Sequence, residues 1–319
     1  MPSIIRYPGS KAKLAGEIID SFPSAFHDAK HERNDLKRTG YSRLLGPWHT
    51  DYAATYFEPF FGSGAIGLKI IDSLPSRCSV WINDIDHGMY AIWKALCDDA
   101  DRLKALVAAF TPSVDAFYEL KAQDGKSTGD LFIDALHKIA LHRMSMSGFG
   151  AKSGGPIGGR RQDGGYTVDC RWTPASIIAA IQLAKQSLFR FCETGRMRIT
   201  NLHFRDVLAE VTDASLVYLD PPYYVKGGQL YAHNMSDEEH AELASILRDT
   251  PADWRLSYDD CPRVRELYAW ASFRELEIRY TNAVTKDKRP KNRELLISPP
   301  VEDAGDYVGM GWVGKDGQP

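Results

Sequence analysis

The residues with the clearest chemical potential are Asp220, Pro221, Pro222 and Tyr223, which directly follow the apolar run Leu216-Val217-Tyr218-Leu219. Two successive prolines remove two backbone donors and fix the chain in a rigid extended turn, so bare carbonyls stand beside a carboxylate. An exocyclic amino group conjugated to an aromatic ring is a poor nucleophile, and this corner answers that defect. The Asp220 carboxylate and the Pro221 carbonyl can accept its two N–H bonds and draw it toward tetrahedral geometry. Tyr223 then offers a π-face on which an extruded base stacks. The bland alternative is a strand-ending turn in which Asp220 caps a neighbouring backbone group, and four specified residues straight after an apolar strand weigh against it.

A second constellation is Gly62-Ser63-Gly64-Ala65-Ile66-Gly67, which fits G-x-G-x-x-G, with Asp84 following at a distance of about 20 residues. Glycines let the backbone approach a ligand closely, and an acid at the next strand end accepts hydrogen bonds from ribose hydroxyls. Any adenosine-containing cofactor satisfies this pattern. The loop alone does not choose between NAD and S-adenosylmethionine.

These groups need a framework. Thr55 to Glu58 reads as a strand, the glycines as a turn, and Ile66, Ile70 and Leu74 as a helix; Val80 to Asn83 is a second strand, followed by helical spacing through Trp93, Leu96, Leu103 and Leu106. Such a unit predicts a Rossmann-like α/β fold with a doubly wound parallel sheet. Leu14, Ile18 and Phe22 mark an earlier helix. From about Ala100 to Leu188 the strands disappear. Two helices, Leu131 to Met144 and Pro174 to Leu188, flank a glycine-rich segment from Gly148 to Gly165, read as a loop or hairpin in an inserted, mostly helical domain. Strands resume at Met197 to Thr200 and Ser215 to Asp220. A helix opened by Ser236-Asp237-Glu238-Glu239 follows, then strands near Arg255 to Tyr258, Phe273 to Tyr280 and Glu294 to Ser298, with a helix from Pro262 to Ala271. The expected organisation is a discontinuous catalytic domain, 1–99 and 189–300, an insertion over 100–188, and a tail over 301–319.

The composition fits a globular enzyme: 319 residues, 44% hydrophobic, 25% charged, net charge −3. No apolar run reaches the roughly 20 residues that span a bilayer, and the first residues lack the apolar core of a secretory signal, so the expected location is the cytoplasm. Cys78, Cys97, Cys170, Cys192 and Cys261 contain no C-x-x-C pair, and the odd total reads as core thiols in a reducing compartment, with neither a zinc site nor a disulfide framework.

Between Arg143 and Trp172 lie Arg143, Lys152, Arg160, Arg161 and Arg171 against two acids, with Phe149, Tyr166 and Trp172 interleaved. Arginine can fork to guanine in the major groove, and glycine permits close approach to phosphates. A second basic cluster runs from Lys286 to Arg293 and includes Lys288, Arg289 and Lys291. Both are expected to face a duplex, although either in isolation would pass for a solvated surface run. A further basic stretch, Arg33 to Arg43, has no assigned role.

At this point the chain resembles the Dam-like DNA adenine-N6 methyltransferases, over most of its length from Arg6 to about Pro300. Arg6-Tyr7-Pro8-Gly9-Ser10-Lys11 is similar to that family's N-terminal cofactor motif. Glu58-Pro59-Phe60-Phe61-Gly62-Ser63-Gly64 resembles its methionine-binding loop, Asn83-Asp84-Ile85-Asp86 its ribose site, and Asp220-Pro221-Pro222-Tyr223 its catalytic motif. His142 to Gly148 looks like the approach to its recognition hairpin, and Arg293-Glu294-Leu295-Leu296-Ile297 like its closing strand. The order of these motifs is that of the alpha-type amino-methyltransferases. The resemblance implies S-adenosylmethionine as cofactor, held by Tyr7, Lys11, Glu58, Phe60, Gly62, Gly64, Asp84, Phe204 and Asp220, with Glu58 as a partner for the cofactor ammonium and Phe204 stacking on the adenine. Asp86 competes with Asp84 for the ribose, and Asp84 is preferred because it comes first at the strand end. His203 stands where relatives often carry Asp. The implied enzyme is a monomer that needs no metal, flips adenine out of double-stranded DNA and methylates N6. The competing readings are methylation of cytosine N4 or of RNA, a catalytically silent DNA-binding relative, and a nicotinamide oxidoreductase, which explains the loop but leaves Asp220 to Tyr223 without work.

Overall fold

The computed structural model describes residues 3–5, 14–22, 54–75, 77–148, 150–225, 234–278 and 292–300. Along each strand, alternate side chains go to opposite faces, as the two-residue repeat of an extended chain requires. Tyr56, Val80, Ile82, Leu216 and Tyr218 join one apolar core, while Phe57, Trp81, Val217 and Leu219 join another. The strands are β1 (Thr55–Glu58), β2 (Ser79–Asn83), β3 (Met197–Thr200), β4 (Ser215–Leu219), β5 (Asp253–Asp259), β6 (Ser272–Ile278) and β7 (Asn292–Ser298). They form one seven-stranded sheet in the order β3-β2-β1-β4-β5-β7-β6. Strands β3, β2, β1, β4 and β5 run parallel, and β7 lies antiparallel between β5 and β6. All five residues of β4 are buried, since helices cover both faces of the sheet. This is the Rossmann-like α/β architecture expected from the sequence.

One face carries α1 (Ala15–Asp20), α2 (Gly67–Ser73), α3 (His87–Ala109), α4 (Val114–Gln123), α5 (Leu131–Met144) and α6 (Pro174–Cys192), whose buried apolar side chains all belong to the first core. The other carries α7 (Phe204–Leu208), α8 (Asp237–Asp249) and α9 (Pro262–Leu267). The capping box read at the start of α8 is present, with Ser236 and Glu239 bonding reciprocally. Two helices were not legible: α4 buries only Phe117 and Leu120, and α7 has five residues. The backbone of α3 leaves helical values at Asp99 (φ −154°, ψ 85°), where the sequence reading begins the insertion. Leu96 and Leu103, on either side of that break, are both fully buried in the same core.

The cysteines require a correction. Cys97 of α3 and Cys192 at the end of α6 form a disulfide with a Cα–Cα distance of 6.1 Å; Cys78 and Cys261 are buried thiols, and Cys170 is exposed. Spacing along the chain could not show this pair, because 95 residues separate two positions that helix packing brings together. Three thiols should therefore react with Ellman's reagent in denaturant without reductant, and all five after reduction. Cross-linking a loop of this length stabilises by about 4–5 kcal/mol in the chain-entropy account, so reduction is expected to lower the denaturation midpoint. Five reactive thiols before reduction would contradict the bridge.

Among the described residues, no helix is long and apolar enough to cross a membrane, and no group of three or more His, Cys, Asp or Glu is arranged to hold a metal ion.

Candidate active site

In an open α/β sheet, ligands bind beyond the carboxyl ends of the strands where the strand order reverses, here between β1 and β4. Three of the acids singled out in the sequence stand at those ends: Glu58 closes β1, Asp220 follows β4, and Asp84 follows β2. Adjacent strands lie about 4.8 Å apart, so Asp84 and Asp220 flank the β1 turn at a spacing of roughly 10 Å.

The turn after β1 is made by glycine geometry. Gly62 and Gly64 have φ of +50° and +66°, values that other residues reach only with strain. Among the described residues, a Cβ on Gly62 would meet nothing within 4 Å, so they leave this side of the turn open to a ligand; a Cβ on Gly64 would lie 2.9 Å from the Trp93 ring. Trp93 supports the turn from behind, with its Nε1 donating to the Gly62 carbonyl at 2.9 Å and its ring edge-on to Phe61. Asp84 supports it from the side: Oδ2 accepts the Gly62 N–H at 2.7 Å and Oδ1 the Asp86 N–H at 2.9 Å. Burial, reinforced by the charge of Asp86, pushes the Asp84 carboxyl up to about 7.

Asp86 is committed elsewhere. Its Oδ1 caps α3 by accepting from Gly88 and Met89, and its Oδ2 receives Lys138 Nζ at 2.6 Å. Both of its oxygens are therefore engaged by α3 and α5. Glu58 is 2% exposed and lies beneath the turn, with Oε2 accepting the Tyr56 hydroxyl at 2.5 Å. Burial holds its carboxyl well above the usual range; the Tyr56 hydrogen bond works against this, while the charges of Asp220 and Asp84 add to it. A Cβ on Gly67 would come within 2.0 Å of Glu58 Oε2, so the third glycine exists to let the helix start sit on this carboxyl. Phe60 packs on Phe204 at 5.6 Å, and Phe204, 4% exposed, also lies against the His203 ring. His203 caps α7 and donates from Nε2 to Glu239 at 3.0 Å.

Sequence reading missed Asn83. This buried side chain donates to the carbonyls of Pro59 and Leu202, both at 3.0 Å, and accepts from Thr200 Oγ1 and the Leu202 N–H. It thereby ties the ends of β1, β2 and β3 into one rim. Asn201 adds bonds to the carbonyls of Asp84 and Ile85 at 2.7 and 2.9 Å.

The corner at Asp220 is braced from β5 and β7. Asp259, the last residue of β5, accepts the Tyr224 N–H on Oδ1 at 2.9 Å and the Val225 N–H on Oδ2 at 3.1 Å. Prolines leave residues 221 and 222 without donors, so a bidentate carboxylate grips the first available amides beyond Tyr223. Tyr223 donates its hydroxyl to Glu294 Oε1 at 3.1 Å, and Glu294 pairs with Asp259 across β7 and β5. The ring is half-buried and fixed at its far end, as a stacking platform should be. Asp259 carries no motif signal, and Glu294 entered the sequence reading only as part of the run that resembles the closing strand.

The glycine-rich segment is a folded hairpin. Ser145 bridges Pro156, and Met146 N–H and Ile157 N–H donate to Gly155 and Met144. Gln162, with φ of +53°, gathers the remainder: its amide donates to Ile157 and Gly159 and accepts the Val168 N–H. The basic residues divide into two groups. Lys152, Arg160 and Arg161 are exposed, Arg161 near Asp163. Arg143 donates to the carbonyls of Ile4 and Ser3, Arg171 to those of Ser145 and Met146, and Arg160 lies over the Tyr118 ring. Trp172, expected among the duplex-facing aromatics, is instead buried against Phe110 at 5.0 Å, while Tyr166 is 73% exposed. Tyr7, Lys11, Phe149, Lys288, Arg289, Lys291, the 33–43 stretch and the tail lie outside the described residues.

A model of the D12 class N6 adenine-specific DNA methyltransferases matches residues 47–282. Among solved structures, the rRNA methyltransferase aviRa from Streptomyces viridochromogenes is similar at 16% identity over 93% of this chain and 90% of that one, with a TM-score of 0.32; a second structure of aviRa gives 16%, 88%, 92% and 0.27. No curated protein matches.

Proposed function

The chain belongs to the D12 class of N6 adenine-specific DNA methyltransferases, and we propose that it takes its methyl group from S-adenosylmethionine and delivers it to an adenine flipped out of duplex DNA against Asp220. The family acts on DNA adenine, which leaves cytosine N4 and nicotinamide chemistry without support. The observation that carries the rest is the braced Asp220 corner, which stands across the strand-order reversal from an open, left-handed glycine turn.

The residues present fit such a cofactor. The open face over Gly62 leaves room for close backbone approach, Asp84 stands ready for a ribose, and Phe60 and Phe204 form an apolar wall nearby. When bound, S-adenosylmethionine supplies an electrophilic methyl group on a sulfonium. Asp220 and the Pro221 carbonyl accept the two N–H bonds of the adenine amine, so that its lone pair is directed toward the donor. Tyr223 stacks on the base, and Asp259 and Glu294 keep the corner from yielding. Positioning of this kind is worth about 7–11 kcal/mol of barrier when both reactants are well oriented. The segments 1–99 and 189–300 hold the cofactor and the corner, and 100–188 faces the duplex. The enzyme works as a monomer.

Within 100–188, Lys152 and Arg161 are the phosphate contacts: both side chains are exposed, while Arg160, also exposed, is engaged over the Tyr118 ring. Changing both to alanine should weaken binding of unrelated duplexes alike and lower the slope of log affinity against log salt by about two. Arg171→Ala should chiefly lower the melting temperature, because it removes bonds to Ser145 and Met146. Fluorescence anisotropy at several salt concentrations, with thermal melts, checks both. The reading of the cofactor site is tested by calorimetric titration of S-adenosylmethionine into the wild type and Asp84→Ala: tight binding that Asp84→Ala weakens at least tenfold supports it, and equal binding by the two refutes the ribose assignment.

A further inference from the structure

Asp134, Lys138 and His142 are spaced four residues apart on α5, so they share one face of the helix, and each is only 4–5% exposed. Apolar residues would fill that face at less cost, since buried ionised groups are tolerated only when fully partnered. The partners are specific. His87, the first residue of α3, donates to Asp134 at 2.8 Å, and His142 Nδ1 donates to the Gly148 carbonyl at 2.9 Å. Lys138 Nζ lies 2.6 Å from Asp86 Oδ2 and 3.0 Å from Asp124 Oδ1. Its stem fills the space beside Gly88, where a Cβ would come within 2.6 Å of Lys138 Cδ. From Asp86 the contacts continue to Asp84 through the Asp86 N–H, and from Asp84 to the Gly62 N–H. A connected series of contacts thus joins the middle of α5 to the glycine turn.

We propose that Lys138 is a positioning residue for the cofactor site: its buried ammonium fixes Asp86 and offsets the charge of Asp86, which keeps Asp84 ionised and aimed at the ribose hydroxyls. The proposal rests on the reading of Asp84 as the ribose acceptor. The charged groups acting on Asp84 come from three elements: Asp86 beside it, Glu58 at the end of β1, and Lys138 from α5, with His142 acting on Asp86 from the same helix. Burial and Asp86 favour the protonated form of Asp84; the N–H groups of Asp86 and Gly62 oppose them, and Lys138 adds to that opposition. Burial would also raise Asp86, but Lys138 overrides it and holds that carboxyl below its ordinary range. The ribose hydroxyls donate, so they need the carboxylate, and cofactor affinity should rise as pH increases through about 7.

Calorimetric titration of S-adenosylmethionine into the full chain between about pH 6 and pH 9 tests this. Lys138→Met is expected to move the midpoint of the pH dependence upward, which weakens apparent binding at pH 7. Asp86→Asn keeps a helix-capping side chain but removes the repelling charge, and is expected to move the midpoint downward. Should Lys138→Met fail to fold, Asp86→Asn decides alone. A midpoint that stays in place in a folded variant, or one that Asp86→Asn moves upward, overturns the proposal while leaving cofactor binding intact. A wild type that takes up no cofactor at all overturns the reading of the site, and the proposal with it.

Discussion

Replacing Asp220 by alanine is expected to lower the single-turnover rate of methyl transfer by about a thousandfold, roughly 4 kcal/mol, with a much smaller change in cofactor affinity. The Asp220 carboxylate is the charged acceptor offered to the amine, since Asp259 and Glu294 are engaged in bracing the corner, and the two prolines beside it hold the backbone rigidly. Asp220 is only partly buried, so the fold should not depend on it. Asp220→Asn, which keeps one acceptor oxygen but loses the charge, should fall between the two. Quenched-flow transfer on duplex DNA together with thermal melts separates the possibilities: a thousandfold loss at unchanged melting temperature supports the role, and near-wild-type transfer denies it.

Gly67→Ala should have the largest effect on the site's architecture. Its Cβ would sit 2.0 Å from Glu58 Oε2 and 2.4 Å from the Phe61 ring, far inside contact distance, and Glu58 is held in β1 by Tyr56 with little room to retreat. Overpacking of this kind costs about 1–3 kcal/mol, and here the yielding element is the turn itself. Cofactor affinity should drop more than tenfold, and the melting temperature should fall by several degrees. Glu58→Ala in the same chain removes the obstructing oxygen and should recover part of both losses, a coupling that a double-mutant cycle measures. Gly62→Ala offers the contrast. None of the described residues lies within 4 Å of the added methyl, so stability should drop only by the cost of φ +50° while affinity suffers from the methyl in the ligand's space. Equal behaviour of the two glycine variants would contradict this division of roles.

The parts of this molecule that could be read from its sequence are those encoded by neighbours. Strand, glycine turn, helix and second strand announce themselves within about 30 residues, and the proline corner is legible because its rigidity is local. What escaped notice depends on contacts between distant positions. Asn83 meets Thr200 and Leu202, 117 and 119 residues away, Lys138 meets Asp86 at 52, and Asp259 grips amides 34 and 35 residues earlier. A polar side chain carries no mark of its partner until the fold supplies it. The same reasoning explains the basic residues: Arg143, Lys152, Arg161 and Arg171 look alike in a linear count, yet two bond backbone carbonyls of their own protein and two reach solvent. The cysteine pair and Trp172 were misread for this reason too, because helix packing placed one in a bridge and the other in the core.

The most direct test is to incubate the wild type and Asp220→Ala with duplex DNA and methyl-labelled S-adenosylmethionine, digest the DNA to nucleosides, and identify which base holds the label. The structure predicts label on N6-methyladenine with the wild type and essentially none with Asp220→Ala. Label on cytosine, or equal labelling of adenine by the two proteins, would contradict a methyl transfer directed by the Asp220 corner.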